Sequence, residues 1–313
     1  NFPDMSKTAF VFPGQGSQTV GMGKDLFENS EIARKIYGLA DEYTGMHLSR
    51  FTFDGPAEIL KQTHITQPAL FVHSYILFTL LGDTIKADYT AGHSLGEYTA
   101  FTYAGSFNFE NGLKLVHKRG ELMRDIGQKQ KGTMAALIGL TQQQVTEICE
   151  SASGKLIVQP ANFNCPGQIV ISGDVEAVHS AIEIAKSEPY NCRLAKVLEV
   201  SGAFHSELMR PAADELRVEL DKSPIANSNI PVFSNVEAEP VTDNEIIEQL
   251  LFRQLYSPVR WESLIRNMIN DGVTEFYEIG AGKVLTGLIK KINTEVKLYN
   301  ISNFDELNKF LNR

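Results

Sequence analysis

A chain of 313 residues with 43 % hydrophobic and 21 % charged positions has room for a large domain of about 200–250 residues carrying a smaller one, with enough apolar side chains for a substantial core. Its formal net charge of −9 argues against a nucleic-acid ligand, and no run approaches the ~18 consecutive apolar residues of a membrane helix. Three cysteines, Cys149, Cys165 and Cys192, without a C-x-x-C pair, offer neither a disulfide framework nor a metal site and suit a reducing compartment.

Met5 opens the native reading "MSKTAFVF", and Asn1 to Asp4 read as an added leader. With no basic-then-apolar signal pattern, the expected location is cytoplasmic. "KTAFVF", residues 7–12, is an apolar run with aromatic and β-branched content, stopped by Pro13 and Gly14: a buried strand entering a glycine-rich turn. A helix is expected near 29–43, and a buried one from Pro68 to Leu81, opened by the proline in its first turn. "ADYTAGHS" is a brief strand; "LGEYTAFTYAGSF" and "ENGLKLVHKRGELMRDIG" are helices. Strand, turn and helix in alternation predict an α/β fold with a mainly parallel sheet.

Near residue 127 the polar, glycine-bounded "GQKQKG" reads as a linker. "TMAALIGL", "TQQQVTEICESA", "LIVQPANFN", "GQIVISG", "DVEAVHSAIEIAKS" and "CRLAKVLEV" then give the order β-α-β-β-α-β, with Thr141 and Asp174 as helix caps. That order is the ferredoxin-like arrangement. From Ser201 the first texture returns: helix "ELMRPAADELRVELDK", strand "IPVFSNV", helices "NEIIEQLLFRQL" and "WESLIRNMINDG", strand "TEFYEIG", helix "KVLTGLIKKI". The expected organisation is a large catalytic domain over 1–130 and 202–313, α/β-hydrolase-like, with a small ferredoxin-like subdomain inserted at 131–201.

The large domain's chemistry centres on "GHSLGEY", which puts Ser94 in G-x-S-x-G between a predicted strand and a predicted helix. Such an elbow exposes the hydroxyl on a strained turn and aims the N–H of the next residue, Leu95, at a developing oxyanion. A simple glycine-rich turn is the competing reading. A serine nucleophile needs a base. His93 adjoins the serine but points elsewhere on an elbow; His47, His64 and His179 sit in polar segments, His73 and His117 within helical patterns. His205, in "EVSGAFHSELM", follows a strand and a glycine-containing loop, the address at which open α/β sheets build sites. "VFPGQGSQ" fails as a dinucleotide fingerprint because Thr19 occupies the last glycine position. An oxyanion loop and a plain turn both remain open for it.

"VFPGQGSQ", "TQPAL", "GHSLGEY", "KRGELM", "ANFNCPGQIVISG", "VSGAFHSELMRPA", "RQLYSPVRW" and "YEIGAGKVLTGLIKKI" occur in this order over nearly the whole chain. Together they resemble the malonyl-CoA:acyl carrier protein transacylase family, both the fatty-acid enzyme and the free-standing acyltransferases of polyketide synthases. The resemblance implies that Ser94 accepts the acyl group with His205 as base, and that the histidine is oriented by a backbone carbonyl, at Gln254, rather than by a carboxylate. It implies an oxyanion hole from the N–H groups of Gln15 and Leu95. Arg119 would grip the malonyl carboxylate, and Gln67, Met123, Asn162, Gln168 and Phe204 would line the acyl pocket. Arginine suits that task because its planar fork matches a carboxylate bidentately; the residues alone, without the resemblance, favour a surface ion pair with Glu121 or Asp125. Phe204 and Leu95 resemble malonyl-selecting members, although one methyl is worth only about 1–3 kcal/mol of discrimination.

The same resemblance implies malonyl-CoA and an acyl carrier protein as partners. The phosphopantetheine comes with the carrier and the protein needs no cofactor or metal of its own; a monomer that binds neither nucleic acid nor membrane is expected. Lys283, Lys290 and Lys291 are candidate contacts to an acidic carrier, with ordinary surface lysines as the plainer reading. The competing functions are a proofreading hydrolase on the same fold and a non-catalytic carrier-binding module.

Overall fold

The computed structural model describes residues 6–312; the leader read at Asn1 to Asp4 lies outside the described residues. Its strands are β1 (Lys7–Phe12), β2 (Tyr89–Gly92), β3 (Gly132–Ile138), β4 (Val158–Cys165), β5 (Gln168–Asp174), β6 (Leu194–Val197), β7 (Val232–Phe233), β8 (Pro240–Val241), β9 (Val273–Ile279) and β10 (Lys297–Ile301). They form a large sheet in the order β10-β9-β1-β2-β7-β8 and a small one in the order β4-β5-β3-β6. All neighbours in the large sheet are parallel except β8, which runs antiparallel to β7; the small sheet is antiparallel throughout. The α/β fold and its second, antiparallel sheet are those the sequence predicts.

The period-2 alternation of β1 divides the core of the large domain. Phe10 and Phe12 face a cluster with Leu70, Phe71 and Phe101, while Ala9 and Val11 face the other side with Trp261, Leu264 and Ile289. In the small sheet, Leu137 and Ile171 pack on Val145, Ile148 and Val178 of the helices Gln142–Ser153 and Val175–Lys186. The small sheet is tied to the segment before the helix Trp261–Asn270 at Val259, whose N–H reaches Ala161 O at 2.8 Å and whose carbonyl accepts from Phe163 N at 2.9 Å.

Four local readings need correction. The helix expected from Pro68 begins at Thr63 and runs to Leu81, placing the proline inside it. It is the one helix among the described residues long and apolar enough to cross a membrane, yet most of it is buried within the protein. The "GQKQKG" linker is helical at its start, because the helix Phe109–Lys129 runs into it. Gly127 is there for contact rather than flexibility: a Cβ would stand 2.1 Å from Ser201 O, where the chain returns from the small domain. Asp174 does not cap its helix; its carboxylate accepts from Ile157 N at 2.7 Å, whereas Thr141 forms a full capping box. Finally, β8, β10 and the helix Phe304–Leu311 carry no strong pattern and are absent from the sequence reading.

The strand-to-helix elbow demands two glycines for a physical reason. A Cβ at Gly92 would lie 1.8 Å from the Gly96 carbonyl carbon, and one at Gly96 would lie 2.1 Å from Phe12 O. These are backbone atoms of the central strands and the helix, with no side chain to swing aside. Gly96→Ala is expected to lower the melting temperature by about 5 °C or more and to disorder the Ser94 turn. Unchanged melting would contradict this close approach.

Candidate active site

Ser94 follows the carboxyl end of β2, in the middle of the large sheet, and precedes the helix Leu95–Tyr103. It adopts φ 52°, ψ −109°, a conformation costing a non-glycine residue roughly 1–3 kcal/mol that only the surroundings can enforce. Its Oγ is 2.8 Å from His205 Nε2. His205 is also held at positive φ, 58°, and its Nδ1 lies 2.9 Å from the Gln254 carbonyl oxygen. That carbonyl is available because Gln254 ends the helix Asn244–Gln254, and the last turn of a helix leaves its carbonyls without intrahelical donors. The acceptor fixes the proton on Nδ1 and leaves the Nε2 lone pair facing the serine, so the ring is set up as a base without a carboxylate.

Arg119 lies in the helix Phe109–Lys129 and is completely buried. Its guanidinium donates to Gln67 Oε1 (2.8 Å), Gln254 Oε1 (2.9 Å) and Ser94 Oγ (3.1 Å). It makes no ion pair with Glu121 or Asp125, which pair instead with Lys118 and Arg124. The cation is therefore held by neutral amides, directly beside the hydroxyl. A buried charge without a counter-ion at contact is costly, and the arrangement favours an incoming anion.

Three side chains absent from the sequence reading build the support. Glu97 accepts from Asn235 N at 2.8 Å and, in a short contact, from Gln254 Nε2. Asn235 accepts from Ser94 N at 2.8 Å and donates to Gly92 O at 2.7 Å. The Gln254 side chain, anticipated only through its backbone, donates to Ser94 O at 2.9 Å. The glutamate directly after the elbow in "GHSLGEY" was the visible signal; Asn235, beyond a two-residue strand, gave none.

Gln15, Gln67, Leu95, Met123, Asn162, Phe204 and His205 line one cleft with Ser94 and Arg119. His93 completes it together with Met134, Leu198 and Val200, the last three from the small sheet and its return segment. Gln168 is not among the lining residues. Asn162 pairs with Val170, whereas Gln168 closes the β4–β5 hairpin opposite Cys165, and its Oε1 accepts from Lys291 Nζ at 3.2 Å. The three C-terminal lysines also stand outside the cleft lining; Lys283 pairs with Glu306 at 3.7 Å. His93 is held by Asn164 Oδ1 at 2.8 Å and packs on Trp261. His73 is buried, His64 and His117 partly so, and His47 and His179 are exposed. Among the described residues no cluster of His, Cys, Asp or Glu is arranged to hold a metal.

Burial, then the nearby Arg119 charge, lowers the His205 ring to about 3 against its ordinary 6.5, although its bond to the Gln254 carbonyl acts the other way. The sign is simple: a lowered value keeps the ring neutral, and so able to accept a proton, throughout the physiological range. Nitrogen NMR of the imidazole is expected to show no protonation of His205 between pH 8 and pH 5. A ring titrating near 6.5 would contradict this electrostatic picture.

Residues 9–301 match the family described as the acyl transferase domain. The malonyl CoA-acyl carrier protein transacylase of Bacillus subtilis is 45 % identical over 300 residues, covering 95 % of this chain and 94 % of that one. Among solved structures, an acyl carrier protein S-malonyltransferase from Vibrio cholerae superposes with a TM-score of 0.93 at 40 % identity, covering 97 % of this chain and 99 % of the other. A malonyl-transacylase in complex with its type II polyketide synthase acyl-carrier protein gives a TM-score of 0.94 at 36 % identity, covering 98 % and 99 %.

Proposed function

The chain belongs to the acyl transferase domain family, and from that premise we propose that it carries malonyl from malonyl-CoA to the phosphopantetheine thiol of an acyl carrier protein through a malonyl-Ser94 ester. The observation that carries the reading is the buried Arg119 guanidinium 3.1 Å from Ser94 Oγ. A carboxylate-bearing acyl group would place its negative end on that cation while its thioester carbon meets the hydroxyl.

In the first half-reaction His205 Nε2 takes the Ser94 proton as Oγ attacks the thioester carbonyl. The tetrahedral oxyanion is received by the N–H groups of Gln15 and Leu95, with the positive end of the helix Leu95–Tyr103 behind the latter. The C–S bond breaks, the histidine returns its proton to the CoA sulfur, and malonyl remains on Ser94. In the second half His205 deprotonates the carrier's thiol, which attacks the ester. The proton then goes back to Ser94 Oγ and malonyl leaves as a new thioester.

A hydrolase clearing neutral acyl chains is disfavoured by the same arginine, because such chains leave the buried cation unmatched. A binding module without chemistry would have no use for a hydrogen-bonded serine–histidine pair. The partition between thiol and water tests the reading: isolated malonyl-enzyme is expected to pass its load to a holo carrier protein within seconds and to keep it when given the apo carrier. Release of free malonate at the same rate with and without carrier would make the protein a hydrolase instead.

A further inference from the structure

Glu97 lies one helical turn beyond Ser94 and has no solvent exposure. Nothing in the acyl-transfer steps requires it, yet a carboxylate this deeply buried is expensive to keep. Its partners explain the expense. One oxygen accepts from the backbone of Asn235 and the other from the side chain of Gln254. Those two residues hold the nucleophile from both sides, since the Ser94 N–H donates to Asn235 Oδ1 and the Ser94 carbonyl accepts from Gln254 Nε2. The Gln254 backbone carbonyl in turn receives His205 Nδ1, and its side-chain oxygen receives Arg119.

We propose that Glu97 is the positioning residue of this site: a single buried carboxylate that, through Asn235 and Gln254, locks the strained Ser94 backbone, the histidine ring and the arginine fork in one register. The inference rests on the acyl-transfer reading above. The chemistry of the acceptor supports it, since only an ionised carboxylate offers acceptor oxygens on both sides. A glutamine would turn an NH2 group toward one of the two donors, and an alanine would leave the buried Asn235 N–H unpaired and take one acceptor from Gln254 Nε2. The left-handed Ser94 turn persists only while its surroundings over-determine it, so loosening these contacts frees the hydroxyl from its aim.

Burial raises the Glu97 carboxyl to about 7, opposed by the hydrogen bonds from Asn235 and Gln254 and by the Arg119 charge. The titratable groups acting with it are Arg119 from the neighbouring helix and Tyr98 beside it. A malonyl carboxylate on Arg119 offsets the cation that favours ionised Glu97, so the value rises further in the substrate complex. Protonated Glu97 no longer accepts from both sides, and acylation should slow as pH falls through this region.

Rapid-quench intact mass spectrometry of Ser94 acylation with malonyl-CoA tests the proposal, with thermal melting as the folding control. Glu97→Gln is expected to slow acylation at saturating malonyl-CoA by about tenfold or more, and Glu97→Ala by about a hundredfold, with KM little changed. Glu97→Asp should recover part of the loss. Wild-type protein should show an inflection at or above pH 7, which the Gln variant lacks. A Gln variant that acylates at the wild-type rate, a loss confined to KM, or a wild-type rate flat from pH 5.5 to 8.5 would each overturn it. The pH profile needs no variant, so it decides the matter even if the substitutions fail to fold. A wild type that acylates with a flat profile removes the role of Glu97 alone; one that never acylates removes the acyl-transfer reading with it.

Discussion

Arg119→Ala is expected to lower kcat/KM for malonyl-CoA by about two to four orders of magnitude while leaving the weak reaction with acetyl-CoA much nearer its starting value. The size follows from the burial of the guanidinium and from its partners, Gln67 and Gln254, which carry no charge. Once malonyl is bound, the substrate carboxylate is expected to be buried too, and deleting the cation it would meet leaves it uncompensated. A neutral acyl group loses no such partner. Arg119→Lys should fall between the two, because an ammonium keeps the charge but cannot reach Gln67, Gln254 and Ser94 with one planar fork. Equal losses for malonyl and acetyl donors would mean that the arginine only supports the fold. Steady-state kinetics with both donors distinguishes these outcomes.

His205→Ala is expected to slow acylation by about 10²–10⁴-fold, with the KM for malonyl-CoA changed far less. The ring touches Ser94 Oγ and the Gln254 carbonyl and makes no contact with Arg119 closer than its electrostatic influence. Its loss therefore removes the proton acceptor while leaving the anion grip in place. A comparable fall in affinity would indicate that the histidine holds substrate rather than moving a proton.

The alternation of strands and helices and the elbow at Ser94 were legible because each is a short-range pattern: apolar runs of period 2, caps, and glycines where backbones touch. From the residues alone the pairing of Ser94 with His205 is legible only as an address at the sheet's carboxyl edge; the family resemblance is what names the histidine as its base. The same locality explains the misses. The polar run from Gln128 to Lys131 suggested a linker because composition cannot show that Gly127, just before it, faces Ser201 O. The resemblance implies a place in the pocket for Gln168 as well as Asn162, but the β4–β5 register carries Gln168 to the hairpin end. Glu97 and Asn235 are separated by a long stretch of chain and meet only because β7 lies beside β2. On the residues alone Arg119 reads as a surface ion pair because Glu121 and Asp125 follow on the same helix; only the packing of the buried face turns it inward.

The most direct measurement is a competition on the wild-type protein. An equimolar mixture of malonyl-CoA and acetyl-CoA is offered, the reaction is quenched within its first turnover, and the adduct is mapped by peptide mass spectrometry, with Ser94→Ala as control. The predicted result is one malonyl group on Ser94, exceeding acetyl by about a hundredfold or more, and no adduct of either kind on the control. An acetyl-dominated adduct, or a malonyl adduct that persists without the Ser94 hydroxyl, would contradict the assignment of this site.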